Sequence, residues 1–485
     1  MNNKMKMLFT LLLLTFVVIG CDDYSELDPP VTPTVETGSA NFSKMVTIGN
    51  SITAGYQSGT IYQSGQMYSY GNLIAQQVGV NFEIPYVSDP GLGGRMEVES
   101  LAPFTIYYNT SRGSLLNATY PAPYNNLGVP GALTYDVLFA TNSTNCASAL
   151  FANTPNPYFD VVLRNSVLNK GTQLQQAISL NPTFITLWIG NSDVLGYATS
   201  GGTAPSAPTD AAQFGQIYGG ISQGLAQYAT LSGAKVVVAN IPSVTAIPFF
   251  TTVGPQMATA IPWGYLTSQG APGLFIQKHG QIVNPTSFVD SIGLATCSVL
   301  ITLRGSSYAS LLGSATGKFY KDNRYTTLPA GIDTTLPFGF HPQNPWPDAL
   351  ILDSDEIITA NNAVTAFNAT IASLANTFGF GLVDINSVFN QFRADDEDGT
   401  IVNGINFRTT YISGGLFSLD GVHPSNQAHG IVANEFIKVI NTKYGAKIPL
   451  VDVARIPGSI YFTSKISYNR GYPVIPNEVF DHLLF

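Results

Sequence analysis

Short apolar segments alternate with stretches of helical periodicity along most of the chain, and this alternation constrains the fold more than any other feature. The apolar segments are rich in β-branched residues and occupy 45–49 (MVTIG), 184–190 (FITLWIG), 235–242 (KVVVANIP) and 381–386 (GLVDIN). Helical periodicity occurs at 68–78, 211–231, 355–378 and 425–444, and Asp353 or Ser354 is the expected cap of the third helix. This alternation predicts parallel strands in one sheet with helices on both faces, which is an α/β architecture.

The connections between these elements are unusually long. Stretches rich in Gly, Pro and aromatic residues occupy 84–125, 243–275 and 303–350. Simple connections in α/β units need only a few residues. We therefore interpret these stretches as insertions that decorate one end of the sheet. Residues 446–485 form an irregular C-terminal extension with one strand-like piece, GSIYFTSKI (458–466).

Polar motifs follow two of the predicted strands. Gly49-Asn50-Ser51 comes after the first strand, and Gly190-Asn191-Ser192-Asp193 comes after the second. Ligands of open α/β sheets bind at the carboxyl ends of the strands, so both motifs are expected at one edge. A serine beside a glycine is by itself most often only part of a turn.

A further polar motif, near the C-terminus, contains the best-placed histidine. Asp420 and His423 lie three residues apart in DGVHP, just before a predicted helix, and can face the same cleft. A hydroxyl becomes a good nucleophile when an imidazole removes its proton, and a carboxylate commonly orients that imidazole. A surface helix start is the alternative reading of Asp-x-x-His. The remaining histidines have neither this spacing nor a strand-end position: His279, His341, His429 and His482.

Four sequence blocks together resemble the conserved blocks of the SGNH/GDSL hydrolases, and they come in that family's order. They are Gly-Asn-Ser (49–51), the glycine turn in NNLGVPGA (125–132), Gly-Asn-Ser-Asp (190–193) and Asp-Gly-Val-His-Pro (420–424). The resemblance implies a flavodoxin-like three-layer α/β/α sandwich with a parallel sheet, enlarged by long insertions.

The resemblance also implies roles for individual residues. Ser51 would be the nucleophile, His423 the general base and Asp420 its partner. The backbone N–H groups of Ser51 and Gly131 would line the oxyanion hole. The reaction would be hydrolysis of an ester through an acyl-serine, without metal or cofactor. The substrate would be a lipid ester or an acetylated carbohydrate, and the aromatic segment 246–266 either lines an acyl-chain pocket or belongs to the core.

Two positions depart from the family pattern. The first block usually reads Gly-Asp-Ser, and here Asn50 replaces the aspartate. The third block usually reads Gly-x-Asn-Asp, and Ser192 stands where an asparagine amide would be the third oxyanion donor. Three outcomes are open: Ser192 donates, the neighbouring Asn191 donates instead, or the enzyme is slow. A non-catalytic or weakly active cell-surface binding lipoprotein on the same fold is the alternative function.

The N-terminus resembles a bacterial lipoprotein signal. Lys4 and Lys6 precede the apolar run 7–19, which is too short to span a bilayer stably, and Cys21 follows Gly20. We predict a signal peptide at 1–20, a lipidated Cys21 and linker at 21–43, a hydrolase domain at 44–445 and the extension at 446–485. The lipid would attach the protein to the bacterial cell envelope, and the acidic pair after Cys21 favours the outer membrane. An ordinary signal peptide is the alternative.

Composition excludes several other functions. Only 11% of residues are charged, the net charge is −9 and the basic residues do not cluster, which argues against nucleic acid as a partner. No phosphate loop or zinc motif is present, and the acidic ADDEDGT (394–400) lacks the spacing of a calcium loop, so we predict no metal site. Cys146 and Cys297 either pair or remain separate thiols, and the sequence does not predict the oligomeric state.

Overall fold

In a computed structural model of the chain, five parallel strands form the central sheet. The model describes residues 35–101, 104–203, 208–268, 270–278 and 287–462. The strands are β1 (Met45–Gly49), β2 (Asn126–Gly128), β3 (Phe184–Trp188), β4 (Lys235–Ala239) and β5 (Gly381–Val383). They lie in the order β5-β4-β3-β1-β2, and every pair is parallel. The predicted α/β sandwich with a parallel sheet is therefore confirmed.

Among the described residues, nine helices frame the sheet and its carboxyl edge. In chain order they are α1 (Ser51–Ala54), α2 (Tyr70–Val78), α3 (Thr134–Phe139), α4 (Gln173–Ser179), α5 (Ser192–Thr199), α6 (Ala211–Ser232), α7 (Ser354–Thr377), α8 (Ile385–Ala394) and α9 (Asn426–Tyr444). The helices α2 and α9 pack together on one face, while α3, α4, α6 and α7 pack on the other. These two helical layers and the sheet make the three-layer sandwich.

Aromatic side chains join the layers on both faces. On one face Tyr70 of α2 stacks on Phe436 of α9 with ring centroids 4.8 Å apart, and both rings contact Trp188 at the end of β3. On the other face Phe214 of α6 stacks on Phe367 of α7 at 3.9 Å. All five rings are buried, and burying each such ring contributes roughly 1.5–3 kcal/mol.

The edge strand β2 is the main difference from the sequence-based prediction. The sequence predicts a glycine turn in the segment 125–132, yet Asn126–Gly128 pairs with β1 at the edge of the sheet. Three residues are too few to show a period of two. The strand is also polar, because Asn126 uses its side chain to bond the carbonyl of Thr53, and the neighbouring Asn125 bonds the carbonyl of Met45.

The long insertions have secondary structure of their own. The first contains an antiparallel hairpin, Arg95–Leu101 with Phe104–Asn109. Residues 248–352 contribute short helices and two-residue strands, and an apolar cluster joins them to the hairpin and to the loop before His423. The further short helices are Gln63–Gln66, Ala147–Ala152, Tyr158–Leu163, Asn165–Leu168, Pro248–Thr251, Val253–Ala260, Trp263–Ser268, Ser291–Ala295, Ser306–Ala309 and Lys318–Asp322. The further strand pairs are Leu274–Phe275 with Phe288–Val289, Leu300–Ile301 with Ile351–Leu352 and Thr400–Val402 with Ile405–Phe407. The 3-10 turns are Val244–Ala246, Leu303–Gly305, Asp348–Leu350 and Val453–Arg455.

The chain segments that begin and end the sandwich meet at the amino edge of the sheet. Ser39, six residues before β1, donates its backbone N–H to the carbonyl of Tyr444, the last residue of α9, at 2.8 Å. The C-terminal extension continues to Phe462, which forms an isolated parallel bridge with Val98 of the hairpin. The rest of the predicted strand-like piece, and the predicted signal peptide with Cys21, lie outside the described residues.

Two further observations bear on the sequence-based predictions. Cys146 and Cys297 are both free thiols, so the two cysteines do not pair. Within the described ranges, no helix has the length and apolar character needed to cross a bilayer.

Candidate active site

Ser51 lies at the first turn after β1. Asn50 ends the strand segment and caps the short helix α1 by accepting a hydrogen bond from the backbone N–H of Ile52. Gly49 makes this turn possible, since a Cβ there would lie 2.4 Å from the carbonyl oxygen of Trp188. The serine hydroxyl is therefore fixed at the carboxyl edge of the sheet, where the sequence predicted it.

His423 reaches this hydroxyl from a loop 372 residues further along the chain. The Ser51 Oγ and His423 Nε2 atoms are 2.9 Å apart, and His423 Nδ1 is 3.0 Å from Asp420 Oδ2. An ionised carboxylate only accepts hydrogen bonds, so Nδ1 carries the proton and Nε2 is free to accept from Ser51. The structure thus brings Ser51, His423 and Asp420 into one hydrogen-bonded series.

Asp420 is held as a carboxylate although it is fully buried. Burial alone would raise its pKa, but the electrostatic interaction with the adjacent His423 and several hydrogen bonds outweigh burial and lower the pKa below its usual value. The backbone N–H groups of Val422 and His423 both donate to Asp420 Oδ1, at 2.9 and 2.8 Å. This tight turn presents a fixed negative charge to the imidazole.

The imidazole of His423 also packs against an aromatic ring. The ring of Tyr56 lies 4.8 Å from the ring of His423, and its hydroxyl donates to the carbonyl of Gly59. Ser58 ties the same segment to the histidine loop, because its backbone N–H donates to Ser418 Oγ at 3.0 Å. These supports come from a polar loop without periodicity, so no local pattern in the sequence indicates them.

The strand register places two further loops on either side of Ser51. Gly49 of β1 pairs with Gly128 of β2 on one side and with Trp188 of β3 on the other. Gly131 follows β2 by three residues, and Asn191 follows β3 by the same number. Gly131 has a φ of 75°, so its turn needs a glycine. Both loops consequently begin at the edge where Ser51 stands.

Within the described part of the chain, three hydrogen-bond donors at Ser51 and in these two loops are uncommitted. Among the described residues, neither the backbone N–H of Ser51 nor that of Gly131 has an acceptor. The side-chain amide of Asn191 is buried, and neither its Nδ2 nor its Oδ1 has a hydrogen-bond partner within the described ranges. Buried amides are rarely left unpaired, and an unpaired one at a reaction centre has a donor to offer.

Ser192, by contrast, is already engaged. Its Oγ accepts a hydrogen bond from Asn50 Nδ2 at 3.2 Å, and the residue is only 4% exposed. Of the two candidate donors, Asn191 therefore has the free amide and Ser192 has a structural partner.

Asp193 joins the two loops, a role that the sequence motif did not reveal. Its Oδ2 accepts hydrogen bonds from both the backbone N–H and the hydroxyl of Thr134, each at 2.9 Å, and its Oδ1 accepts from Thr209. Burial raises the pKa of Asp193 to about 6 despite these bonds. The carboxyl group thus fixes the segment after Gly131 against the start of α5.

The insertions cover this site. Ser51 is 5% exposed and His423 is 1% exposed. Phe249, in the aromatic segment 246–266, donates its backbone N–H to the carbonyl of Gly421, and Tyr411 donates its hydroxyl to the carbonyl of Leu419. Phe249 and Phe250 are both part of the second apolar cluster. Within the described residues, no group of acidic, histidine or cysteine side chains is arranged to hold a metal ion.

The comparisons with known proteins agree with this architecture. Residues 45–436 match the sequence profile of the GDSL-like lipases and acylhydrolases. Because the match spans most of the chain, the protein is a hydrolase that acts on ester bonds. It belongs to the GDSL-like lipase/acylhydrolase family. A comparison with curated protein sequences gives no match.

Solved structures resemble the chain over much of its length but at low identity. An α/β hydrolase, LAE5, from the metagenome of Lake Arreo in Spain is 12% identical with a TM-score of 0.33, over 83% of this chain and 96% of that one. A protein described as a GDSL-like lipase from Parabacteroides merdae is 12% identical with a TM-score of 0.29, over 83% and 98%. A gut microbial diltiazem-metabolizing enzyme is 13% identical with a TM-score of 0.30, over 83% and 47%. At these TM-scores the likeness carries no argument about substrate.

Proposed function

We propose that the protein is a serine esterase that works through an acyl-serine intermediate on Ser51. The observation that carries this proposal is the 2.9 Å contact between Ser51 Oγ and His423 Nε2, with Asp420 on the opposite ring nitrogen. A hydroxyl this close to an unprotonated imidazole can lose its proton as it attacks an acyl carbon.

The reaction proceeds in two halves. Ser51 Oγ bonds to the acyl carbon while its proton passes to His423 Nε2. The tetrahedral oxyanion then collapses, and His423 gives the proton to the departing alcohol. A water molecule loses a proton to His423, attacks the acyl-serine and releases the acid, and Ser51 recovers its proton. Asp420 stabilises the imidazolium in both halves.

The oxyanion is stabilised by the three uncommitted donors. The backbone N–H groups of Ser51 and Gly131 supply two hydrogen bonds, and the Asn191 amide supplies the third. This arrangement compensates for the family asparagine that Ser192 replaces. Preorganised donors of this kind are each worth about 10²–10³ in rate, so the full set favours an active enzyme over a binding protein.

The experiment that tests this function compares the full chain with Ser51→Ala. We expect the wild type to hydrolyse p-nitrophenyl acetate and to be labelled by a fluorophosphonate, and the variant to do neither. Ser166→Ala removes an exposed hydroxyl and serves as the control, which should keep both properties. A wild type without hydrolysis or labelling contradicts the proposal and favours the binding lipoprotein.

We further propose that Cys21 carries a lipid that attaches the protein to the outer membrane of the cell envelope. The support is the charged and apolar leader before this cysteine and the acidic pair after it. Metabolic labelling with a fatty-acid analogue tests the proposal, since Cys21→Ser should abolish the label and release the protein from the membrane fraction.

A further inference from the structure

An apolar crevice runs between α8 and α9. Fifteen of its sixteen lining residues are apolar, and Glu435 is the only charged one. Its volume, including the open mouth, is about 650 Å³. Val388, Phe389 and Phe392 of α8 line one wall, and Ala428, Ile431 and Val432 of α9 line the other. Three more lining residues, Ile52, Val422 and Pro424, are the chain neighbours of Ser51 and His423.

We propose that this crevice binds the acyl chain of the ester, an inference that rests on the proposed acyl-serine reaction. The acyl group remains attached to Ser51 after the alcohol has left, and the next residue, Ile52, lines the crevice. A hydrocarbon chain gains free energy by leaving water for such a surface, at about 0.8 kcal/mol for each buried CH₂. A sugar has no comparable gain here, because Glu435 is the only charged lining residue and the other lining side chains are apolar.

The length of the crevice sets the preferred chain. Its lining on α9 extends from Ala428 to Glu435, which is seven residues or about 10 Å along the helix. With C–C bonds of about 1.5 Å, an extended chain of roughly eight carbons covers this distance. Glu435 stands at the far end and pairs with Lys438 at 2.6 Å, so a longer chain would meet an ion pair. We therefore expect medium-chain acyl esters to be preferred.

The first measurement is the kcat/KM of the full chain on p-nitrophenyl acetate, butyrate, octanoate and palmitate. The proposal expects octanoate to exceed acetate at least tenfold and palmitate to fall below octanoate. A preference for acetate, with labelling of Ser51 intact, overturns the acyl crevice but leaves the esterase standing. Absence of both hydrolysis and labelling overturns the proposed function itself.

A substitution in the crevice isolates its contribution. Val432→Phe narrows the space beside α9, and we expect it to lower kcat/KM on octanoate at least tenfold while acetate changes less than twofold. Val167→Phe makes the same change at a residue that is 78% exposed, and it should alter neither rate. An unchanged octanoate to acetate ratio in Val432→Phe contradicts the proposal.

A milder variant covers the case in which the larger side chain prevents folding. Val388→Thr keeps the shape of the side chain and adds a hydroxyl, so it should fold and should lower the octanoate to acetate ratio about threefold. Alkyl acetates of increasing alcohol length complete the test. If the length of the alcohol, and not of the acyl group, sets kcat/KM, the crevice binds the leaving group and the assignment is wrong.

Discussion

Asn50 Nδ2 donates a hydrogen bond to Ser192 Oγ across 3.2 Å, and this bond links the residue before Ser51 to the first residue of α5. These are the two positions at which the chain departs from the pattern of its family. With the family's usual aspartate at position 50 and asparagine at position 192, the hydrogen bond would run in the opposite direction. The aspartate would accept it and the asparagine would donate it. The two departures are therefore a matched pair, and the partnership leaves Asn191 as the free amide.

The third oxyanion donor can be identified by comparing two neighbouring alanine variants. Asn191→Ala removes the uncommitted amide, and we expect kcat on p-nitrophenyl acetate to fall about 10²–10³-fold. Ser192→Ala removes only the acceptor for Asn50, and we expect less than a tenfold loss together with about 1 kcal/mol of stability. Steady-state kinetics and urea unfolding measure both effects. A larger kinetic loss in Ser192→Ala would reverse the assignment.

The carboxylate of Asp420 should be indispensable to the rate and nearly irrelevant to substrate binding. Asp420→Asn keeps an oxygen to accept the backbone N–H groups of Val422 and His423 but removes the charge that orients and stabilises the imidazole. We expect kcat to fall about 10³–10⁴-fold with KM changing less than threefold. A proportionate rise in KM would indicate that the loop had moved, and circular dichroism provides the check on folding.

The left-handed conformation of Gly131 allows the effect of backbone strain on stability to be separated from the effect on the catalytic rate. Alanine at a φ of 75° costs roughly 1 kcal/mol or more, and in this loop it also displaces an N–H group of the oxyanion hole. We expect Gly131→Ala to lower kcat at least tenfold. Gly233→Ala is the control, because Gly233 has a φ of 78° at the end of α6 and no atom within 4 Å of an added Cβ. It should lose similar stability and no activity.

His429 should make the protein sensitive to acid. It is fully buried on α9, neither ring nitrogen has a partner among the described residues, and burial together with the nearby His423 lowers its pKa to about 3. An unfolded histidine titrates near 6.5. The stability that comes from keeping the ring neutral is thus fully present above pH 6.5 and is lost as the pH falls toward 3, on the order of 4 kcal/mol in total.

The measurement for His429 is the free energy of unfolding at several pH values in the wild type and in His429→Met. The variant should lack the loss of stability between pH 6 and pH 4. Buried Asp136 and Asp193 act in the opposite direction, because their pKa values are raised to about 7 and about 6 and their neutral forms favour folding in acid. Both proteins share these carboxyl groups, so the difference between the curves isolates His429. Parallel curves would contradict the prediction.

The sequence predicted the elements whose signals are local and repeated. The bounds of β1 and α6 agree with the structure within about a residue, and Asp353 caps α7 as expected, because its side chain accepts the backbone N–H groups of Asp355 and Glu356. Long helices and buried β-branched strands carry these periodicities over many residues. The predicted residues Ser51, Asp420 and His423 also lie together.

What the sequence did not predict depends on contacts between distant segments. The edge strand β2 has three residues, Asn126 to Gly128, which are all buried although none is β-branched. The part played by Asp193 requires Thr134, 59 residues away, and the engagement of Ser192 requires Asn50, 142 residues away. Periodicity within a window contains no information about such pairs.

The bond between Ser39 and Tyr444 has a consequence for where the chain enters the domain. It fixes the start of the domain at the amino edge of the sheet, while Ser51 and His423 lie at the carboxyl edge. The helix α9 connects the two edges with 19 residues, about 28 Å of length. If Cys21 carries the proposed lipid, the anchored segment joins the domain at the edge opposite the reacting residues.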